Sequence, residues 1–233
     1  MTDTVEYDKA AALLRSRIYG LLAAGFAELT RESFDKLCQH YVADWRQSAA
    51  FMTNGEGLFG SHIDRLAEAL ADANFDTLYQ DYSRLFLPAG NMAIVPYEME
   101  LMKDTPQHSM TIQAELADVA GFYHAFGMDT SGGNPERVDN IATELEFMHV
   151  MALKEAVASD EDSSDHLEIV FQAEQKFVRE HLGRWVTRLN DGIRTNGSSV
   201  FYSALGDMLC VWMDIEEAFL FEGCQGGVSP TLH

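Results

Sequence analysis

The uneven placement of proline is the feature that most limits how this chain can fold. Its five prolines stand at positions 88, 96, 106, 135 and 230, so residues 1–87 and 136–229 contain none. Proline breaks helix interiors, and proline-free stretches therefore leave room for long helices. Within these stretches apolar residues recur three and four positions apart, and alternating strand-like runs are nearly absent. The sequence predicts an all-α fold, a compact bundle of about eight to ten helices.

Interruptions of the helical pattern predict how the chain is organised. Residues 1–127 form an N-terminal helical portion, in which a loop is expected at 53–60 and a longer one at 87–106. Glycine and proline then mark a hinge at 128–135. A C-terminal portion at 136–222 opens with a helix from Glu136 to about Val157, and 223–233 is a tail. We expect one compact domain. A loop as long as 87–106 is either functional or a well-packed irregular connection.

The charge of the chain restricts its partners. It carries 37 acidic and 16 basic side chains, a formal net charge of -21, which argues against nucleic acid and against anionic membrane surfaces. No apolar run approaches the roughly 20 residues of a membrane span, and no secretory signal is visible. Three cysteines without a CxxC pair fit a reducing compartment, with Cys38 and Cys210 as small buried side chains. We expect a cytoplasmic protein without stable membrane insertion.

Signals for catalysis are weak, and we expect neither catalytic residues nor a bound metal. The chain lacks a GxSxG element and a GxxxxGK[ST] phosphate loop. Glu146 and His149 form one Glu-x-x-His pair, whereas a di-iron site in a helical bundle needs two such pairs and two further glutamates. A metal-dependent helical-bundle enzyme that uses Glu146 and His149 remains one alternative. A non-catalytic adaptor is another.

An acidic stripe is expected on the helix that starts at Glu136. Glu136, Asn140 and Glu144 lie four residues apart and would share one face, with Asp139 beside them. Carboxylates accept the guanidinium fork in a bidentate manner. The stripe therefore either binds a peptide that carries arginines or is a plain solvated surface.

Three segments carry a resemblance to a known family. The segment from Tyr82 to Glu100 has a Y-x-x-L-F pattern and, after a loop, a proline–aromatic–acid element. NPERVDNIATELEFMHVM (134–151) is similar to an E-x-P-D-H-I-x-x-E-L-x-F-M signature, with Val138 and Asn140 in place of its proline and histidine. QKFVREHLGRW (175–185) resembles F-x-x-x-H-L-x-x-W. On these motifs the chain resembles the TorD/DmsD/NarJ family of redox-enzyme maturation chaperones.

The resemblance implies a cytoplasmic chaperone with a TorD-like helical fold. Such a chaperone binds the twin-arginine leader and the apoprotein of a molybdenum-dependent oxidoreductase and assists its maturation before export. It acts as a monomer or a domain-swapped dimer. Guanine nucleotide or molybdenum-cofactor contact is associated with the family, but no pocket for either is visible in the sequence. The asparagine at position 140 cannot titrate near neutral pH as the family histidine can.

The resemblance and the acidic stripe together predict the leader- and client-binding residues. The acidic stripe supplies carboxylates, and the 87–106 loop supplies apolar and aromatic side chains, although Tyr82 and Phe86 are equally compatible with ordinary core positions. The residues of the third segment are expected to pack. The predicted binding residues are Glu136, Asp139, Asn140, Glu144, Tyr82, Phe86, Pro96, Tyr97 and Glu98.

Overall fold

The protein is a bundle of helices. The computed structural model describes residues 8–87, 94–104, 111–128, 137–160, 163–196 and 199–222. Across these ranges the chain forms nine continuous helices and no strand, apart from one isolated bridge between Tyr97 and Asn140. The predicted all-α class is therefore confirmed.

Three of the helices contain a wide, π-helical turn. The nine helices are α1 (Lys9–Phe26), α2 (Arg31–Lys36, Leu37–Tyr41 and Val42–Ala50), α3 (Gly55–Ala71), α4 (Phe75–Phe86), α5 (Glu98–Met102), α6 (Ile112–Ala125), α7 (Ile141–Asp160), α8 (Ser164–Phe177, Val178–Leu182 and Gly183–Asn196) and α9 (Val200–Glu217 and Ala218–Glu222). The wide turns are the middle segments of α2 and α8 and the last segment of α9. Each of these helices runs through its wide turn without a break, so the bundle keeps long, continuous elements.

Several helix starts are set by local capping. At α2 the Thr30 side chain accepts a hydrogen bond from the Ser33 backbone, and Ser33 Oγ accepts one in return from the Thr30 backbone. At α4 the Asn74 side chain accepts from the Thr77 backbone at 2.9 Å. These side chains satisfy amide groups that have no partner inside the helix. The sequence alone therefore explains where these helices begin.

The predicted loop over residues 53–60 is wrong for most of its length. Helix α3 begins at Gly55, not at Ser61, and its first turns bury Phe59 completely. A Cβ at position 55 would lie 2.2 Å from the Ala49 carbonyl oxygen, so only glycine allows the close approach of this turn to α2. Tertiary packing of Phe59 outweighs the low helix propensity of the glycines here.

The core is built around α1 and α7, which pack along each other, while α8 packs on both α7 and α9, and α9 packs on α3. The apolar face of α7 lies in this core, because Leu145, Met148 and Ala152 are all fully buried. At Gly25 a Cβ would meet the Tyr41 hydroxyl at 2.4 Å and Leu205 at 2.8 Å, so α1, α2 and α9 come very close there. The burial predicted for Cys38 is wrong: it is exposed on the wide turn of α2.

One group of charged residues lies inside this bundle. We call Arg15, Glu155, Glu174 and Glu216 the Arg15 cluster. Arg15 Nη2 lies 2.9 Å from both Glu174 Oε2 and Glu216 Oε2, and Nη1 contacts Glu155. All four side chains are at most 6% exposed. Burial raises the pKa of Glu174 to about 8 although Arg15 opposes the rise. The cluster ties α1, α7, α8 and α9 together.

Some predictions concern residues outside the described ranges. Apart from Met128, the hinge at 128–135 is one of them, and the tail at 223–233 is another. The division of the chain into two helical portions therefore stays a prediction. None of the helices in the described ranges is both long and apolar enough to cross a membrane.

Candidate functional site

The structure brings the first two sequence motifs together. Residues 94–104 and 137–144 meet in a surface region that we call the junction. The Ile141 backbone donates to the Pro96 carbonyl at 3.1 Å, and the Glu98 backbone donates to the Asp139 carbonyl at 2.9 Å. Part of the predicted 87–106 loop is thus ordered here as the short helix α5, Glu98–Met102. Two segments distant in sequence therefore form one site.

The predicted helix start at Glu136 is wrong. Helix α7 begins at Ile141, and residues 138–139 form a turn before it. Asn140 stands at the start of α7, where its Oδ1 accepts a hydrogen bond from the Ala142 backbone at 2.8 Å. Asp139 and Asn140 precede the helix and do not stack with Glu144 on one helical face; Glu136 lies outside the described residues. The described members of the predicted stripe, Asp139, Asn140 and Glu144, are all buried and form no exposed acidic surface.

Asp139 is a buried carboxylate with its own cationic partner. It is fully buried, and Arg137 binds both of its oxygens, with Nε at 2.9 Å from Oδ1 and Nη2 at 2.8 Å from Oδ2. The Met99 backbone also donates to Oδ2, at 3.2 Å. The predicted solvent-facing carboxylate is therefore incorrect at Asp139. Its position is fixed from both segments of the junction.

Arg137 links the buried carboxylate to the surface of the junction. Its guanidinium lies 4.4 Å above the centre of the Tyr97 ring, and Nη1 is 3.6 Å from Glu100 Oε1. Its side chain is 38% exposed. Tyr97 is itself half-buried and Pro96 is buried. The outer face of the junction thus combines an aromatic ring, a guanidinium and carboxylates.

Glu144 is the most enclosed acid of the junction. It is fully buried, and its Oε2 accepts a hydrogen bond from Trp185 Nε1 at 3.0 Å, while no described residue hydrogen-bonds its Oε1. Burial and the nearby charge of Glu98 raise its pKa well above the usual range. Both effects favour the protonated form of this carboxyl group. Glu144 also contradicts the prediction of an exposed stripe.

Glu98 is held by a histidine that joins three helices. It is fully buried, with Oε2 3.0 Å from His181 Nδ1 and Oε1 3.6 Å from Arg184 Nη1. The other ring nitrogen of His181 lies 3.2 Å from Asp118 Oδ2. Burial raises the pKa of Glu98, and the hydrogen bond and charge of His181 oppose that rise. His181 thereby connects α5, α6 and α8.

Tyr82 and Phe86 lie in the core. They are 6% and 4% exposed, and both pack on Tyr202 of α9, with ring centroids 6.3 Å and 5.3 Å apart. Of the two alternatives open for these residues, the structure places them at ordinary core positions. Among the predicted aromatic residues, Tyr97 is the one that reaches the surface.

The third motif does more than pack. His181 and Trp185 are buried as expected, but they also supply the polar partners of Glu98 and Glu144. The sequence offered one signal that could have found this role, because a histidine and a tryptophan four residues apart point to the same face of a helix. Arg137, which directly precedes the Val138–Asp139 turn, was also missed.

Glu146 and His149, the Glu-x-x-His pair, have a structural role in which His149 packs against α1. Glu146 is exposed, and His149 Nδ1 lies 2.8 Å from the Ser16 carbonyl oxygen and 2.9 Å from Ser16 Oγ, so the ring contacts α1. Across the described part of the chain, no three His, Cys, Asp or Glu side chains are grouped as a metal site would require. The alternative of a metal-dependent enzyme has no support in this geometry.

Comparison with known proteins identifies the family. The family model described as "Nitrate reductase delta subunit" matches residues 57–191. A perchlorate reductase assembly chaperone protein of Dechloromonas aromatica (strain RCB) is 25% identical over 91% of this chain and 92% of its own length. A chaperone protein TorD of Vibrio atlanticus (strain LGP32) is 23% identical over 94% and 99%. No solved structure is significantly similar to the chain. The chain belongs to the nitrate reductase delta subunit family, the TorD/DmsD/NarJ group, whose named members here are chaperones and not enzymes.

Proposed function

We propose that this chaperone binds the twin-arginine leader and the apoprotein of a molybdenum-dependent oxidoreductase in the cytoplasm and assists its maturation before export. Family membership and the similarity to a perchlorate reductase assembly chaperone support a redox-enzyme client. The oligomeric state, monomer or domain-swapped dimer, stays a prediction that sedimentation analysis would decide.

The chemistry of the junction supports leader binding there. A twin-arginine leader presents guanidinium groups beside apolar side chains. Asp139 holds the guanidinium of Arg137 with both oxygens, next to the ring of Tyr97. That one arrangement carries the proposal, because it demonstrates that the junction has the acceptors and the aromatic face that a guanidinium needs.

The predicted site residues take two roles in this proposal. Tyr97, Asp139 and Glu136 contact the leader. Pro96, Glu98, Asn140 and Glu144 hold the two segments of the junction in register, and Tyr82 and Phe86 support α4 beneath it. Substitutions in the first group should change the affinity for the leader, and at Tyr97 they should have little effect on stability. Substitutions in the second group should reduce stability where they remove a buried contact.

Leader binding is tested by calorimetric titration with a synthetic twin-arginine leader peptide of the client. Tyr97→Ala should weaken binding by roughly fivefold or more, because an exposed cation–π contact contributes about 0.5–1 kcal/mol and the ring also supplies apolar contact. Tyr79→Ala is the matched control, since Tyr79 is an exposed tyrosine elsewhere on the molecule. Equal losses of affinity in both variants would show that the leader does not bind at the junction.

A groove between α7 and α8 supports binding of the apoprotein itself. Leu153, Val157 and Ile169 are 42%, 51% and 56% exposed and line an open cavity of about 460 Å³. The ionisable residues of its lining are Lys154 and His166, with no acid among them, although the chain as a whole is strongly acidic. An incompletely folded client that exposes apolar and acidic side chains would therefore find a complementary surface here.

Binding at the groove is tested by co-purifying this protein with a client apoprotein that is produced without its leader. Val157→Ser together with Ile169→Ser should abolish most of the co-purification and leave leader-peptide affinity unchanged. Val200→Ser is the control, because Val200 is 48% exposed on α9, outside the groove. Full recovery of the apoprotein by the groove variant would show that the client docks elsewhere.

A further inference from the structure

We propose that Tyr97, Glu100 and Asp139 form an arginine-binding subsite that Arg137 fills in the free protein, and that an arginine of the leader binds by displacing Arg137. The inference rests on the proposed function and adds a competitor that the chain itself carries. It assigns the subsite a ligand class, a guanidinium side chain, and predicts that Arg137 occupies the subsite in the free protein.

The first support is the completeness of the occupation. Arg137 uses two nitrogens on the two oxygens of Asp139, places its plane over the Tyr97 ring at 4.4 Å, and approaches Glu100 Oε1 at 3.6 Å. An incoming arginine would need the same carboxylate and the same aromatic ring, because Arg137 already contacts both. Binding at this position therefore requires Arg137 to leave.

The second support is that Arg137 can leave without dismantling the subsite. Its side chain is 38% exposed, whereas Asp139 is fully buried. Asp139 is held separately by the Met99 backbone, and its carbonyl accepts from the Glu98 backbone. These backbone contacts do not involve Arg137. The Asp139 carboxylate should therefore keep its position and orientation when the Arg137 guanidinium moves into solvent.

The third support is specificity. A planar guanidinium fork matches both carboxylate oxygens and lies flat on an aromatic ring, whereas an ammonium group offers a point charge. The subsite should thus prefer arginine over lysine, both for its internal occupant and for a ligand.

Self-occupation lowers the apparent affinity for a leader. When only a fraction of the protein has the subsite open, the measured dissociation constant rises by the inverse of that fraction. We expect an ion pair of this kind, which is partly exposed, to make the closed state with Arg137 in the subsite roughly three to ten times more populated than the open state. Arg137→Ala should therefore bind the twin-arginine peptide about three- to tenfold tighter than the unmodified protein.

The experiment compares Arg137→Ala with Arg188→Ala. Arg188 donates to the Leu101 carbonyl on the same short helix and is exposed, so its removal changes the local charge equally without opening the subsite. We expect tighter binding only in Arg137→Ala, and only with the twin-arginine peptide, not with its twin-lysine counterpart. Arg137→Gln serves as a second variant if the alanine protein folds poorly.

A second measurement does not depend on the leader. Ethylguanidinium at millimolar concentration should raise the melting temperature of Arg137→Ala and leave that of Arg188→Ala unchanged, because it refills the vacated subsite. Ethylammonium should have no comparable effect. Equal responses to both cations would overturn the assigned ligand class.

The outcomes separate the inference from the proposed function. If the unmodified protein binds the peptide and Arg137→Ala, well folded, binds it equally or more weakly, displacement is wrong and leader binding stands. If neither protein binds the peptide, the proposed leader function fails, and the displacement inference fails with it, even where ethylguanidinium still stabilises the variant.

Discussion

The Arg15 cluster and the junction both bury carboxylates next to arginine, but they do so in opposite ways. In the Arg15 cluster three glutamates from three helices converge on one guanidinium that is 6% exposed. In the junction each buried acid has a different partner: Arg137 for Asp139, Trp185 for Glu144 and His181 for Glu98. One of these partners, Arg137, reaches the surface.

The contrast separates a structural cluster from a site that can exchange a partner. Losing Arg15 would leave three acids enclosed without a cation, whereas losing Arg137 would leave only Asp139, whose partner side chain is 38% exposed. Buried charge is costly unless it is paired, so only an arrangement with an accessible partner can trade that partner for another. The measurements below test this distinction, beginning with the largest effect.

Arg15→Leu should be the most destabilising change. Breaking a buried ion pair by removing one partner costs about 3–5 kcal/mol, since an uncompensated charge remains. The free energy of unfolding from urea titration measures the loss. Arg17→Ala is the matched control, because Arg17 is 36% exposed in its pair with Asp44 and should cost less than about 1 kcal/mol. Similar values for both would mean that the Arg15 cluster is not structural.

The pH dependence of stability should report the same cluster. The pKa of Glu174 rises on folding, from near 4.5 to about 8, so the folded state binds the extra proton. Its stabilising contribution is fully present below pH 4.5 and is lost as pH rises toward 8. We expect the free energy of unfolding to fall across this window, by at most about 1.4 kcal/mol per pH unit for one proton.

Glu174→Gln supplies the control for that prediction. The amide cannot ionise, so its free energy of unfolding should depend less on pH between 5 and 8 than that of the unmodified protein. Glu144→Gln should flatten the same curve, because burial raises the pKa of Glu144 as well. A stability that increases with pH over this range would contradict the assigned direction of both shifts.

Asp139→Asn tests whether the junction tolerates the loss of its buried charge. The change keeps an oxygen for the Met99 backbone but weakens the pair with Arg137, and we expect a loss of about 1–2 kcal/mol in urea unfolding. Leader affinity should fall by tenfold or more. Asp44→Asn, on an exposed ion pair, should change neither quantity measurably.

Glu144→Gln should have the smallest effect at neutral pH. A protonated Glu144 and a glutamine have nearly the same shape, and either can accept from Trp185 Nε1. We expect the melting temperature at pH 7 to change by no more than about 3 °C. A larger loss would show that Glu144 is charged in the folded protein, and the junction would then resemble the Arg15 cluster more closely.

The fold was largely predictable from the sequence, and the chemistry of the site was only partly so. Apolar residues three and four positions apart, in stretches without proline, predicted the helices, and the motifs pointed to both segments of the junction. The burial of the acids could not be read from local spacing. It depends on Trp185 and His181, which are 41 and 83 residues away from Glu144 and Glu98. The predicted start of α7 at Glu136 was wrong because Asn140 caps the helix at Ile141, after a turn that contains Asp139.

The wide turn Val178–Leu182 has a consequence for how the chain can vary in length. Such a turn accommodates one residue more than an ordinary helical turn, and here it carries His181 just ahead of Trp185. Deleting a single residue from it would let α8 continue as a regular helix, and the segments on either side of the turn would keep their faces. A deletion in the regular part of α8 would instead rotate everything downstream of it by about 100°. The wide turn is therefore the place where α8 should best tolerate the loss of one residue.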